Sequence, residues 1–333
     1  MSCESDVDKT PELSHLYHLK RDRHWERYFG KKSVVVDSAQ RAIQISLELL
    51  NSGVKGFPVV MPVTAPPAVV GGVLRSGAVP LLLDIDKSTF NMDPSLFKEA
   101  INELGDGMVT LFCEIGGQPI PKELLDILKP YSVTILYSPT HPRNEAQAYP
   151  YTFMIKDLNK MIDKGAVIYH DYEEQLSMIY AARDGVLGHD AKLSKAQEQN
   201  LERLLDNDRV YLVDSRKADF QRISKAFKGT GVGVLWESSL YNEEFGIVVP
   251  DAQKAVAKLK EHKFMAQTLI NPLHKEPMVA ARYREKASYP NAEAVMNRVI
   301  TVPVLDFRST SLKLLIKLIL EEYNEQEGTN RSP

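Results

Sequence analysis

Short β-branched runs alternate with amphipathic helical stretches through the first half of the chain, and this alternation narrows the fold more than any other feature. Ser33 to Val36 is strand-like, and Ala39 to Leu50 follows with Ala42, Ile45 and Leu49 at helical spacing. The same succession recurs three times. Val59 to Met61 precedes a helix from Pro67 to Leu74, closed by Ser76-Gly77. Val79 to Ile85 precedes a helix from Pro94 to Leu104, with Asp93 as its N-cap. Met108 to Cys113 precedes a helix from Pro121 to Leu128 with proline in its first turn, and Val133 to Tyr137 closes the series. Strands alternating with helices predict an α/β fold, a mostly parallel sheet covered on both faces.

The pattern changes after Tyr151. Two strand-like pieces, Tyr151 to Ile155 and Ala166 to Tyr169, lie close together, and a helical stretch runs from Leu193 to Phe227 with a break near Asn207-Asp208. Strands are expected near Gly231 to Trp236, Gly246 to Val249 and Ile300 to Val304, with helices over Ala252 to His262 and Leu312 to Tyr323. This reads as a smaller α+β domain. The expected division is a flexible tail over 1–12, a large domain over 13–205, a small C-terminal domain with its linking helix over 206–325, and a second tail over 326–333.

Composition excludes several classes of function. A chain of 333 residues, 44% of them hydrophobic, fills one large or two medium cores. Its net charge of −3 comes from interspersed acids and bases, without the basic stripe that a nucleic acid or an anionic membrane requires. No apolar run approaches the roughly 20 residues of a membrane helix. The start, MSCESDVDKTPE, is acidic and polar, unlike a signal peptide. The cysteines, Cys3 and Cys113, make no disulfide framework, and the expected location is the cytoplasm.

Longer motifs carry a resemblance. The segment VVMPVTAPPAVVGGVLRSGAVPLLLDIDKSTFNMDPSLFKEAI, Val59 to Ile101, is followed by GGQPIPKELLDILKPYSVTILYSPTHP, Gly116 to Pro142. LINPLHKEP (Leu269 to Pro277) and YPNAEAVMNRVITVPV (Tyr289 to Val304) come later. In order and spacing, from about Ser33 to Tyr323, these resemble the DegT/StrS-type sugar aminotransferases. That resemblance implies a fold-type-I architecture: a large domain built on a seven-stranded, mostly parallel sheet and a small C-terminal domain. It further implies a homodimer, pyridoxal phosphate at the interface, and amino transfer to a keto group on a nucleotide sugar.

The same resemblance assigns the site residues. The Schiff-base lysine of the family falls on Lys156, ten residues before Ala166 in GAVIYHD. The carboxylate that keeps the cofactor ring nitrogen protonated falls on Ser138, which carries no charge, and the family's histidine beside the cofactor falls on His141. The phosphate-binding helix start falls on Asp37-Ser38-Ala39-Gln40-Arg41-Ala42, where Ala39 replaces glycine, Gln40 replaces threonine and Asp37 adds an acid. A phosphate-binding serine falls on Tyr151, with Thr152 supplying a hydroxyl one residue on. The asparagine contributed by the neighbouring subunit falls on Asp190, and the ring-covering aromatic falls within Pro62 to Pro66, which has none. Asp37 or Ser38 is also explained by helix capping alone, and Lys156 by a surface lysine.

One requirement kept and about five changed point to an aminotransferase-like protein with impaired or altered catalysis, tied to amino-sugar, polysaccharide or natural-product biosynthesis. Two alternatives stay open: a working pyridoxal-phosphate aminotransferase acting through Lys156, and a cofactor-free binding or structural homologue. No metal is expected. His15, His18 and His24 lack companion ligands. Gly71-Gly72, Gly116-Gly117 and the GTGVG run Gly229 to Gly233 lack the context of phosphate loops, and Tyr289-Pro290 and Asn271-Pro272 mark turns.

Overall fold

The computed structural model describes residues 32–50, 54–105, 108–114, 120–128, 133–137, 152–157, 165–169, 173–185, 188, 190–206, 221–235, 244–269, 272–280, 288–303 and 309–330. Two sheets organise them. The larger has seven strands in the order β1-β7-β6-β5-β4-β2-β3. Its members are β1 (Ser33–Val36), β2 (Pro58–Pro62), β3 (Val79–Leu83), β4 (Val109–Cys113), β5 (Val133–Tyr137), β6 (Thr152–Asp157) and β7 (Ala166–Tyr169). Strands β2 to β6 pair in parallel, whereas β7 runs antiparallel to both β6 and β1. The expected mostly parallel, seven-stranded sheet is therefore present.

Helices cover both faces because successive strand residues point to opposite sides. On one side, Val34, Val36, Met61, Leu111, Ile135, Phe153, Ile155 and Ile168 pack with α1 (Ala39–Leu50) and α2 (Pro67–Arg75) in one core. On the other, Val35, Val60, Phe112, Met154 and Val167 pack with α3 (Pro94–Leu104) and α4 (Lys122–Ile127). The start of α3 follows from its sequence: the Asp93 carboxylate accepts hydrogen bonds from Ser95 N and Leu96 N, and Pro94 supplies a preset first turn. Gly77, at φ 81°, ends the α2 segment, a conformation that a side chain disfavours.

Two further helices, α5 (Glu173–Arg183) and α6 (Lys195–Asp206), follow β7. A helix α7 over 221–227 then leads into the second sheet, antiparallel throughout, in the order β10-β11-β9-β8. It comprises β8 (Gly233–Leu235), β9 (Glu244–Val248), β10 (Gln267–Thr268) and β11 (Val299–Pro303). With α8 (Ala252–Glu261) and the long C-terminal helix α11 (Ser309–Asn330) it has its own core of Ile223, Phe227, Ile247, Val256, Leu259, Ile300, Leu315 and Ile319. Two short helices, α9 (Pro277–Ala280) and α10 (Pro290–Met296), lie between β10 and β11.

This segment is fastened to the large sheet. Leu273 N donates to the Val63 carbonyl at 2.8 Å. The Asp84 carboxylate, just past β3, accepts from Asn291 N at 3.0 Å and Ala292 N at 2.9 Å, so it caps α10. His274 Nε2 lies 2.8 Å from Glu293 Oε1, and its ring rests on Tyr289 at 4.8 Å. Tyr289-Pro290, read from sequence as a turn, is instead the entry to α10, because proline is well suited to the first position of a helix. The expected strand Tyr151 to Ile155 runs from Thr152 to Asp157 and so takes in Lys156.

Candidate functional site

The C-terminal ends of β1 and β6 lie at the same end of the sheet, where ligands of open α/β sheets bind. The α1 helix opens there. Ser38 is its N-cap: its carbonyl accepts from Ala42 N at 3.0 Å and its Oγ accepts from Arg41 N at 3.3 Å. The Ser38 hydroxyl in turn donates to Asp37 Oδ1 at 2.9 Å. Ala39 is buried, and Gln40 lies along α2, its Nε2 only 2.7 Å from where a Cβ on Gly71 would sit. The Arg41 guanidinium is turned along the helix, Nη1 donating to Gln44 Oε1 at 3.2 Å.

A second segment of the same chain closes on this corner. Asp37 N donates to the Ala191 carbonyl at 2.9 Å, and Gln197 Nε2 donates to the Asp37 carbonyl at 3.0 Å. Gln197 also completes a capping box at the start of α6. Its Oε1 accepts from Ser194 N at 2.8 Å, while Gln197 N donates to Ser194 Oγ at 3.3 Å. One glutamine amide thereby ties the first turn of α6 to the entry of α1. Asp190 is exposed, directly precedes Ala191 and bridges to Asp184, so it stands beside α1 of its own chain.

Lys156 is buried, with 8% of its surface accessible, one residue from the end of β6. It pairs with Val167. Its neighbours Ile155 and Ile168 belong to the α1 side of the sheet, and Met154 and Val167 to the α3/α4 side. Alternation therefore directs Lys156 to the α3/α4 side, opposite α1. The structure brings Ser38, Ala39, Gln40 and Asp190 to one corner, with Lys156 at the same sheet end on the other face. Ser138, His141 and Tyr151 lie outside the described residues, as does the side chain of Thr152, whose backbone opens β6. The Pro62 to Pro66 segment is filled by buried Val63, Thr64 and Ala65. Thr64 Oγ1 donates to the Phe90 carbonyl at 3.4 Å.

Sequence reasoning did not single out Glu114. It is buried, immediately after β4, and its only sequence signal is an acid that ends the apolar run VTLFC. No group of three or more potential metal ligands occurs among the described residues. Among them, too, no helix is long and apolar enough to cross a membrane.

Residues 20–137 match the model of the DegT/DnrJ/EryC1/StrS aminotransferase family. Over that segment the chain resembles the DegT/DnrJ/EryC1/StrS family. A curated relative, the "Pleiotropic regulatory protein" of Geobacillus stearothermophilus, is 22% identical over 321 residues, covering 88% of this chain and 86% of that protein. The PLP form of Spr1654 from Streptococcus pneumoniae, a protein named as a sugar aminotransferase, superimposes with a TM-score of 0.79 at 16% identity, covering 92% of this chain and 91% of that one. The E. coli GDP-4-keto-6-deoxy-D-mannose-3-dehydratase with bound hydrated PLP gives 0.73 at 14% identity, covering 95% of this chain and 98% of that one. These likenesses establish the aminotransferase fold across both sheets.

The fold implies pyridoxal phosphate, and the described residues meet its needs unevenly. An amine is present in Lys156. The corner at α1 suits a phosphate dianion poorly. The Arg41 N–H is already held by Ser38, the Asp37 carboxylate sits on the Ser38 hydroxyl, and the one arginine of the first turn is turned towards Gln44. Two anions brought together at hydrogen-bonding range repel each other strongly once partly shielded from water. The start of α1 does not fit the phosphate group.

Proposed function

We propose that this chain is a sugar-aminotransferase homologue in which ordinary transamination is lost or altered, acting in amino-sugar or polysaccharide biosynthesis. A nucleotide sugar is the small-molecule partner, a homodimer the working form, and the cytoplasm the location. The observation that carries this reading is the Asp37 carboxylate bonded to Ser38 at the start of α1, an acid in place of an anion-binding surface. Ser138, an uncharged residue aligned with the family's ring carboxylate, supports it. A fold of this kind does not dictate amino transfer: the E. coli relative is named as a dehydratase.

A second reading, an active pyridoxal-phosphate aminotransferase, is favoured by the buried Lys156 at the end of β6. Absorbance titration of the purified protein with pyridoxal phosphate separates the two. The first reading expects no saturable Schiff-base band at micromolar cofactor, and expects Asp37→Ser to increase cofactor binding. A saturable wild-type band that disappears in Lys156→Ala would sink the first reading and establish the second.

A further inference from the structure

Strand β8 stands at the end of the small sheet, where β9 is its only strand neighbour among the described residues. Gly233 pairs with Val248, Val234 with Ile247 and Leu235 with Gly246. The other side of β8 is therefore a sheet edge, a row of backbone N–H and C=O groups open to a further strand. Edges are commonly blunted by a charge, a proline or a bulge on the strand itself. Gly233, Val234 and Leu235 bring no charge and no proline, and their register against β9 runs without a bulge.

A groove of about 900 Å³ adjoins this strand. Val232, Gly233 and Val234 line it in succession. The side chains of successive strand residues alternate between the two faces, so a groove touching all three follows the backbone edge and not one face. Ser224 and Lys225 of α7, with Lys228 directly after it, belong to the rest of the wall. Lys225 and Lys228 are three residues apart, which puts them on one side of the helix end. Both are exposed, and neither is in an ion pair among the described residues. The wall facing the edge is therefore basic, while the edge itself is neutral.

We propose that this edge is a docking surface for an extended acidic segment of a partner protein, which adds as a fifth strand beside β8 while its carboxylates meet Lys225 and Lys228. Main-chain hydrogen bonds to the edge hold the segment, and the lysines select its charge. A second copy of this chain is a poor occupant. Pairing β8 with its own copy brings one patch against the same patch, lysines against lysines. The surface lies on the small sheet and is independent of what the α1 corner binds.

The probe is a fluorescein-labelled peptide of alternating glutamate and valine, titrated with the full chain and followed by anisotropy. Saturable binding is expected, weakened about tenfold by the double charge reversal Lys225→Glu with Lys228→Glu and weakened again by added salt. Methylating alternate backbone nitrogens of the peptide should abolish binding, because the ladder then lacks its donors. In the wild type, amide exchange over Val232 to Leu235 should slow when the peptide is added, a readout that does not depend on the variant folding. No saturable binding, equal binding of a lysine-valine peptide, or slowed exchange elsewhere but not at β8 overturns the proposal. Undiminished binding of the methylated peptide would show that charge alone attracts it and would sink strand addition. Self-association lost on the charge reversal would make a second copy the occupant, and so would also overturn the proposal.

Discussion

Asp84 holds three backbone amides at once: Ile85 N at 2.9 Å from its own strand end, and Asn291 N and Ala292 N from the first turn of α10. Asn291 answers by donating its side-chain amide to the Ile85 carbonyl at 2.8 Å. The contact is buried and joins the large sheet to a helix that lies far along the chain. Asp84→Ala leaves these N–H groups unpaired away from water, a loss of about 2–3 kcal/mol. The half-buried N-cap Asp93 is worth about 1 kcal/mol on the same change. Chemical denaturation of the two variants should rank them in that order, and an equal loss would show that Asp84 is an ordinary cap. Sequence marked Asp84 only as part of the Val59 to Ile101 segment that carries the resemblance. Its partners lie some 207 positions away, and no local pattern announces them. Glu114 escaped for a related reason: burial, not residue type, makes it notable. Asp37 and Ser38 were legible as both cap and phosphate position, and the bonds between them favour the cap.

At the level of elements, periodicity located most helices and strands of the large sheet to within a residue or two, because alternating burial leaves a strong imprint on composition. It gave no reason for Gly71-Gly72, which the packing supplies. A Cβ at Gly72 would sit 2.7 Å from both the Gln40 carbonyl oxygen and Ile43 Cβ of α1, whereas one at Gly71 would meet the end of the Gln40 side chain. The two glycines therefore predict different outcomes. Alanine gains up to about 1 kcal/mol of helix propensity at either position. At Gly72 the obstacle is backbone and a branched side chain, so overpacking costing about 1–3 kcal/mol outweighs that gain. At Gly71 the glutamine can swing aside. Thermal unfolding should show Gly72→Ala destabilised and Gly71→Ala near neutral, and equal effects would mean that α1 and α2 do not meet at the distance seen. The placement of Lys156 is a second lesson at this scale. Motif spacing singled out the residue as a candidate, but which sheet face it takes depends on the register of β6 against β7.

For the whole molecule, the α/β class and the smaller α+β unit were present in the sequence pattern, and the seven strands of the large sheet were implied by the family resemblance. The junction between them was not, since it is built from contacts between distant segments. Tyr289 belongs to that junction. Burial, reinforced by the Asp84 charge, raises its phenol above the ordinary tyrosine value. A folded-state value above the unfolded one gives stability that is complete below about pH 10 and is lost as pH rises through the folded value. Wild-type protein should therefore lose stability above pH 10 relative to Tyr289→Phe, with the two curves parallel below it. Parallel curves throughout would place Tyr289 in ordinary solvent.

The antiparallel strand β7 has a consequence for the order in which the protein is made. Val36 ends β1 and meets Ala166, which lies 130 positions later. During synthesis β2 to β6 can zip together while β1 has no partner, because long-range pairing must wait for the far segment to emerge. The corner at Asp37 waits longer still, for Ala191 and Gln197. The N-terminal strand is thus among the first parts of the described fold to leave the ribosome and among the last to dock.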